Sequence, residues 1–468
     1  MKKEELIKLE KETLVEIIMK LCEQVEELTA EVAELKAQIR QNSRNSSKPP
    51  RSDWKPVKMP RPESGMSQGG QRGHKGNYLK IEREADKTIE IKPSICRKCG
   101  TVLPDTTGSS IEERQKIDVE IRTIVTKYEQ YEVICPCCGE GNRGEFPSDV
   151  KSHISYGEGV QSIGVLLTNH ANVSYSKTAE IMNDVFEVPI SPSTLVNHVN
   201  DFASKSEPVL NEIKEQVKQG KTAHFDETSV RVKGKNYWVH TAGNSEATYN
   251  TIHPKRGVEG TDDNGVLKDF KGVAVHDCLV QYFGYENALH AVCNAHLLRE
   301  LQGVIENKGY VWASDMQNHL RNMKKAVDNC IIESKTALPD ELLESFADEY
   351  DRILALGETE CPRDTRQTKQ SKSRNLLERF INYRTEINRF TNDFSVPFTN
   401  NQAERDIRNA KVKMKVSGGF RSDYGAKNFA KISSVISTAA KQGFSAFKTV
   451  SDIFNNSAIS VFSHTANC

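Results

Sequence analysis

Thr222-Ala-His-Phe-Asp-Glu-Thr-Ser-Val-Arg-Val232 alternates in side-chain character with a period of two, and so do Tyr237-Trp-Val-His-Thr-Ala242 and Ala247-Thr-Tyr-Asn-Thr-Ile-His253 beyond the turn Lys233-Gly-Lys-Asn236. Successive side chains of a strand point to opposite faces, so this period, broken by short polar turns, predicts a three-stranded meander. Downstream, a helix is expected around 265–270, and Gly272-Val-Ala-Val-His-Asp277 reads as a short buried strand ending in an acid. From about Tyr285 to Phe394 the pattern is mostly helical, after which a capped helix begins between Thr399 and Asn401 and carries Glu404. Meander, helix, strand and flanking helices make an α/β core with helices on both sheet faces, expected over 218–455.

Three acids stand out by where these elements would put them. Asp226 lies midway along the first strand, Asp277 at the carboxyl edge of the fourth and Glu404 on the late helix, 51 and 127 residues apart. The second interval exceeds what the core needs and predicts a helical insertion at about 300–395. Strand alternation sends Asp226 to one face and Glu227, with Phe225, to the other. Carboxylates are the hard oxygen ligands that Mg²⁺ or Mn²⁺ prefers, and two such ions about 3.5 to 4 Å apart neutralise a phosphodiester and align its attacking and leaving oxygens. Each acid also has a structural reading: Asp277 can open a turn, and Glu404 can cap Asn401 or pair with Arg408. Beyond Glu404, the basic residues Arg405, Arg408, Lys411, Lys413, Lys415 and Arg421 form either a path for DNA phosphates or a solvated charged face.

Upstream, Leu14, Leu21, Leu28 and Leu35 recur every seven residues with Ile18, Val25, Val32 and Ile39 between them. β-Branched residues at a and leucine at d favour a parallel two-stranded coiled coil, so residues 1–42 are expected to dimerise the chain through 14–39; the alternative is an amphipathic helix packed on its own protein. Residues 43–85 read as a flexible linker rich in Pro and Gly, and Arg40 to Lys80 carries ten Lys or Arg against two acids. Arg72 and Lys75 are its candidate DNA contacts, against a merely solvated tether. Over 86–150, Cys96-Arg-Lys-Cys99-Gly and Cys135-Pro-Cys-Cys138-Gly are two knuckles with the spacing of a tetrahedral Zn²⁺ site, joined by strands between Val119 and Val133; Cys137 is a spare thiol. Residues 151–217 are helical, and a segment capped by Ser191 or Ser193 gives a helix-turn-helix-like pattern with Thr194, Asn197 and His198 as exposed readers, or a plain helical connector. A short tail, 456–468, follows the core.

Lys plus Arg equal Asp plus Glu at 64 each, so any nucleic-acid footprint is local. No apolar run approaches the roughly 18 residues that span a bilayer, and eleven cysteines with two C-x-x-C pairs point to metal in a reducing compartment. A cytoplasmic location is expected.

His224-Phe-Asp226-Glu-Thr, Gly272-Val-Ala-Val-His-Asp277, Cys293-Asn-Ala-His296-Leu-Leu-Arg, Asn400-Asn-Gln-Ala-Glu404-Arg-Asp-Ile-Arg408 and Ser417-Gly-Gly-Phe-Arg-Ser422, together with the heptads, Asn45-Ser-Ser-Lys-Pro-Pro50 and the knuckles, resemble the Insertion Sequence 66 family of transposases over nearly the whole chain. Arg72 stands where that pattern has proline. The resemblance implies a bacterial DDE transposase with an RNase H-like core, in which Asp226, Asp277 and Glu404 hold two Mg²⁺ or Mn²⁺ ions. It further implies that the chain binds element ends, cuts DNA and joins 3′-hydroxyl ends to target DNA, with accessory proteins of the same element as possible partners. Cys293 and His296 are expected beside the site as packing and hydrogen-bonding groups. The rival readings are a non-enzymatic DNA-binding regulator or inactive remnant, and a nuclease acting on RNA hybrids.

Overall fold

The computed structural model describes residues 11–42, 44–46, 84–104, 110–365, 368 and 370–456. Arg72, Lys75, most of the basic linker and the tail from 457 lie outside the described residues. The chain divides into two compact units, Lys58–Thr126 on the one hand and Met1–Val57 with Lys127–Cys468 on the other. The four knuckle thiols, expected within one domain, are therefore shared out between two units.

In the smaller unit the Cys96–Cys99 knuckle is closed by Gly100 N donating to Cys96 O at 2.9 Å, with Gly100 at φ +72°. In the larger unit, strands β1 (Glu132–Ile134) and β2 (Gly141–Arg143) pair antiparallel around the second knuckle, where Gly139 N donates to Cys135 O at 2.9 Å. The strand pattern expected from Val119 is realised as a ladder over Glu132–Ile134 alone: Val119, Ile124 and Val125 are exposed, with neither a partner strand nor a covering layer among the described residues.

The N-terminal segment is one helix, Lys11–Arg40. Seven of its heptad residues, Ile18, Leu21, Val25, Leu28, Val32, Leu35 and Ile39, are 46–82% exposed in the single chain. A turn closes it, with Asn45 Nδ2 donating to Arg40 O (3.1 Å) and to Glu306 Oε2 (2.6 Å) on the helix Asn294–Lys308. Then follow the helices Glu158–Val165, extended by a π-helical turn to His170, Tyr175–Phe186, Pro192–Lys205 and Glu207–Lys218, as the helical periodicity predicts.

The core sheet has strands β3 (Thr222–Val232), β4 (Lys235–Gly243), β5 (Thr248–His253), β6 (Val273–His276) and β7 (Leu289–Val292) in the order β5-β4-β3-β6-β7. β3, β4 and β5 form the expected antiparallel meander, while β6 runs parallel to β3 and β7 parallel to β6. β7 interrupts the stretch read as helical, because four residues are too few to set one period against another. The helix expected at 265–270 is a short 3₁₀ turn, Leu267–Asp269, and a further helix, Val258–Asn264, precedes it, ended by Gly265 at φ +68°, where a left-handed residue costs little.

Phe225 and Ala242 face one core with Phe202, Ile213, Phe270 and Ile432. Val230, Val232 and Val239 face a second with Ile407, Met414, Phe420 and Phe429. Being of the same parity as Val230 and Val232, Asp226 looks toward the face covered by the helices Asn401–Asp406 and Arg408–Ser417. The helices between Asn294 and Asn392 build their own core around Trp312, Met316, Tyr350 and Phe380. Among the described residues no helix is long and apolar enough to cross a membrane.

Candidate active site

Asp226 sits midway on β3, and its Oδ1 accepts the N–H of Glu227 at 2.9 Å. Asp277 follows β6, and its Oδ1 accepts the N–H of Leu279 at 3.0 Å. β6 runs parallel to β3 with His224 against Val275, and that register, continued two residues, sets Asp277 beside Asp226. Burial first, then the negative charge of Glu227, pushes the Asp226 carboxyl up to about 7, with Asp277 adding to the rise and Lys411 opposing it. Burial and Glu227 likewise raise Asp277 to about 6, against the pull of the Leu279 N–H and Arg256. Two half-buried carboxylates whose charges oppose one another and which present hard oxygens are a donor set that fits a divalent cation such as Mg²⁺.

Glu404 is not gathered in with them. Its Oε1 lies 3.7 Å from His296 Nε2 and 3.8 Å from Arg299 Nη2, and its side chain is 40% exposed. Among the described residues no group of three or more His, Cys, Asp or Glu side chains lies close enough together to hold a metal ion. The pairing with Arg408 and the cap on Asn401 are not formed: Asn400 is the N-cap, and Glu404 N lies 3.3 Å from its carbonyl oxygen. The helix bearing Glu404 is pinned near both ends, by Asn400 to β3 and by Asp406 to Lys441, whose buried ammonium also donates to Asn244 O (2.7 Å) and Ala247 O (3.0 Å).

Around the aspartates Arg256, Tyr282 and His290 carry no sequence signal, whereas Cys293 and His296 are the pair expected beside the site. Glu227, whose side chain is 1% exposed, takes two bonds from Arg256 (2.9 and 2.7 Å) on one oxygen and the Tyr282 hydroxyl on the other. The Tyr282 ring packs 4.8 Å from His276, whose Nε2 lies 2.9 Å from His290 Nδ1; full burial pushes His276 down to about 3, so it is neutral. Cys293 is fully buried and its Sγ accepts the N–H of Asn400 at 3.1 Å. His296 is pushed below the usual imidazole range by burial, then by Arg299.

Arg408, Lys411 and Lys415 project from one exposed side of the helix Arg408–Ser417 and form no ion pair among the described residues; Arg421 is exposed beyond it, and Arg405 donates to Gln402. In the helix-turn-helix-like region, Ser191 caps by accepting from Thr194 N (3.1 Å), and Thr194 Oγ1 lies 2.9 Å from Ser191 Oγ, so Thr194 is half-buried within its own cap. Asn197 is exposed, whereas His198 is packed edge-on to Tyr156. Glu180, Asp184, Glu187 and Asp201 outnumber Lys177 and Lys205 on these helices and their connection, a poor electrostatic match for phosphates.

No curated protein matches the chain. The model of a family of unknown function matches residues 2–80. The model of the Transposase IS66 family matches residues 153–428, from the first of the upstream helices through both aspartates, Glu404 and the basic helix. With more than half of its length so matched, the chain belongs to the IS66 family of transposases.

Proposed function

We propose that the chain is a DDE-type enzyme that hydrolyses phosphodiester bonds at the ends of its element and joins the 3′-hydroxyl ends to target DNA, with Asp226, Asp277 and Glu404 as the acids that hold two Mg²⁺ or Mn²⁺ ions. The observation that carries this reading is the half-buried pair Asp226 and Asp277, on the paired strand β3 and just past β6, raised to about 7 and about 6. Two adjacent, partly desolvated acids weaken a fold unless a cation is to be taken up between them. The sheet order β5-β4-β3-β6-β7, with an acid inside its central strand and another just past the next, supports an RNase H-like core.

Bound divalent ions would offset charge on the phosphodiester and align the oxygens of an in-line displacement. The protein's own part is to hold Asp226 and Asp277 by main-chain N–H groups and to offer Glu404, whose contacts to His296 and Arg299 are longer than hydrogen bonds and so release it cheaply. Arg405, Arg408, Lys411 and Arg421 are proposed to bind the strand by its phosphates.

Thiolate binding of Zn²⁺ at the knuckles, Cys96 with Cys99 in the one unit and Cys135 with Cys138 in the other, belongs to the same reading. Each knuckle favours thiolate: the Thr101 hydroxyl holds Cys99 down at about 7, and main-chain N–H groups of Cys138 and Cys137 lower Cys135. Dimerisation through residues 14–39 is supported by the exposed heptad seam.

The test is cleavage and joining of labelled element ends with Mg²⁺ or Mn²⁺. Asp226→Asn, Asp277→Asn and Glu404→Gln are each expected to abolish both steps while end binding persists; full cleavage by any of them would sink the assignment. Glu404 standing apart from the aspartates favours one rival, a DNA-binding remnant, which the same assay reveals as end binding without metal-dependent nicking.

A further inference from the structure

Asn400 is 3% exposed and commits each of its polar groups. Its side-chain amide donates to Phe225 O at 2.8 Å, its Oδ1 lies 2.8 Å from His224 Nδ1, its main-chain N–H meets Cys293 Sγ at 3.1 Å, and its carbonyl faces Glu404 N at 3.3 Å. Since Nδ2 is the donor to Phe225, Oδ1 must accept, which fixes the His224 proton on Nδ1. An N-cap asparagine ordinarily turns its side chain back onto the first N–H groups of its own helix. This one makes no such cap and crosses to β3, one residue from Asp226. Nearby, Asn294 N donates to Phe398 O at 3.1 Å, so β3, the chain leaving β7 and the helix of Glu404 meet at one buried joint. Glu404 lies four residues along that helix, about 6 Å of rise from the joint.

We infer that Asn400 is a positioning residue: by tying the start of the Glu404 helix to the strand of Asp226, it sets how far the glutamate reaches toward the aspartate pair. The inference rests on the reading of Asp226, Asp277 and Glu404 as metal-holding acids. It also gives Cys293 a task, since its thiol receives the main-chain N–H of Asn400. A helix start fixed within one turn of a ligand restricts that ligand to the arc its own torsions sweep, which is how a supporting residue governs coordination without touching the ion.

The experiment is Mn²⁺ titration of the full-length protein by calorimetry, with thermal melting without metal, on wild type, Asn400→Ala, Asn400→Asp and Glu404→Gln. Wild type is expected to take up two ions, and Glu404→Gln to weaken the second. Asn400→Ala should weaken that same ion at least tenfold, leave the ion held by the aspartates within about twofold, and melt within a few degrees of wild type. Asn400→Asp keeps an acceptor for His224 but sets a carboxylate against Phe225 O, so it should behave like Asn400→Ala, and it carries the test if the alanine variant does not fold. Wild-type uptake of both ions by the Asn400 variants, or equal weakening of both ions, would overturn the role of Asn400 alone. Two unaltered ions in Glu404→Gln would instead overturn the assignment of the acids.

Discussion

Asp226 carries a proton in the folded chain up to about pH 7, whereas an unperturbed aspartate releases it near 3.8. Between those values the folded state binds more protons than the unfolded one, so the metal-free fold loses stability as pH rises from about 4 through 7. Asp226→Asn removes this liability and should be more stable than wild type in EDTA at pH 8, by on the order of a few kcal/mol. The gap should close below pH 4; urea unfolding that gives equal differences at pH 4 and pH 8 would contradict it. On the proposed assignment a divalent ion displaces the same proton, so Mg²⁺ affinity should fall about tenfold for each unit below pH 7 while one proton is exchanged. At this scale the sequence was partly legible. Alternation on β3 separates Asp226 from Glu227 and puts Asp226 on the side of Ile407 and Met414. The groups that tune the pair were not, because Arg256, Tyr282 and Asn400 reach Glu227 or Phe225 across 29, 55 and 175 residues, and no local period encodes a contact of that span.

Among the elements, the helix Asp423–Lys441 shows how a sheet edge is closed. β5 is an outer strand, and its outward donors are met by side chains: Thr248 N donates to Thr438 Oγ1 at 3.0 Å and Asn250 N to Ser434 Oγ at 2.8 Å, so the buried edge leaves neither group unpaired. At the end of that helix Lys441 satisfies Asp406 and two hairpin carbonyls while only 11% exposed. Lys441→Ala would leave Asp406, whose side chain is 5% exposed, with the Gln402 amide but without its cation, and should cost about 3–5 kcal/mol in urea unfolding. A loss under about 1 kcal/mol would show that water enters the joint. Ser417-Gly-Gly-Phe420 has a comparable logic: Gly418, at φ +71°, stops the basic helix, and Gly419 lets Phe420 N reach Arg231 O at 2.7 Å. A Cβ on Gly419 would stand 2.8 Å from that same oxygen, so Gly419→Ala should force the backbones apart and cost about 1–3 kcal/mol. Sequence periodicity predicted the meander and the upstream helices because each spans several repeats. It could not resolve β7, where Leu289-His-Ala-Val292 offers a single alternation and the parallel pairing with β6 is wholly non-local.

For the molecule as a whole, equal numbers of acids and bases mean that DNA must be held by segregated charge. Two surfaces compete for that role. The helix-turn-helix-like pair presents Asn197 but carries Glu180, Asp184, Glu187 and Asp201 on its helices and their connection, against Lys177 and Lys205. The helix after Glu404 presents Arg408, Lys411 and Lys415 without carboxylate partners among the described residues, and Lys411 is near enough to Asp226 to lower its proton affinity. Each phosphate neutralised releases counterions and steepens the fall of log K with log salt by about 0.9. The triple variant Arg408→Ala, Lys411→Ala, Lys415→Ala should therefore flatten that slope by about 2 to 3 in end-binding titrations between 50 and 200 mM salt. Thr194→Ala with Asn197→Ala should leave the slope unchanged, since neither side chain is charged, and should lower affinity for the element end relative to unrelated DNA only if the region reads bases. A slope untouched by the triple variant would move the DNA path away from the helices around Glu404. In that event the acids would have to meet a strand delivered by another part of the chain, and the basic helix would be a solvated face.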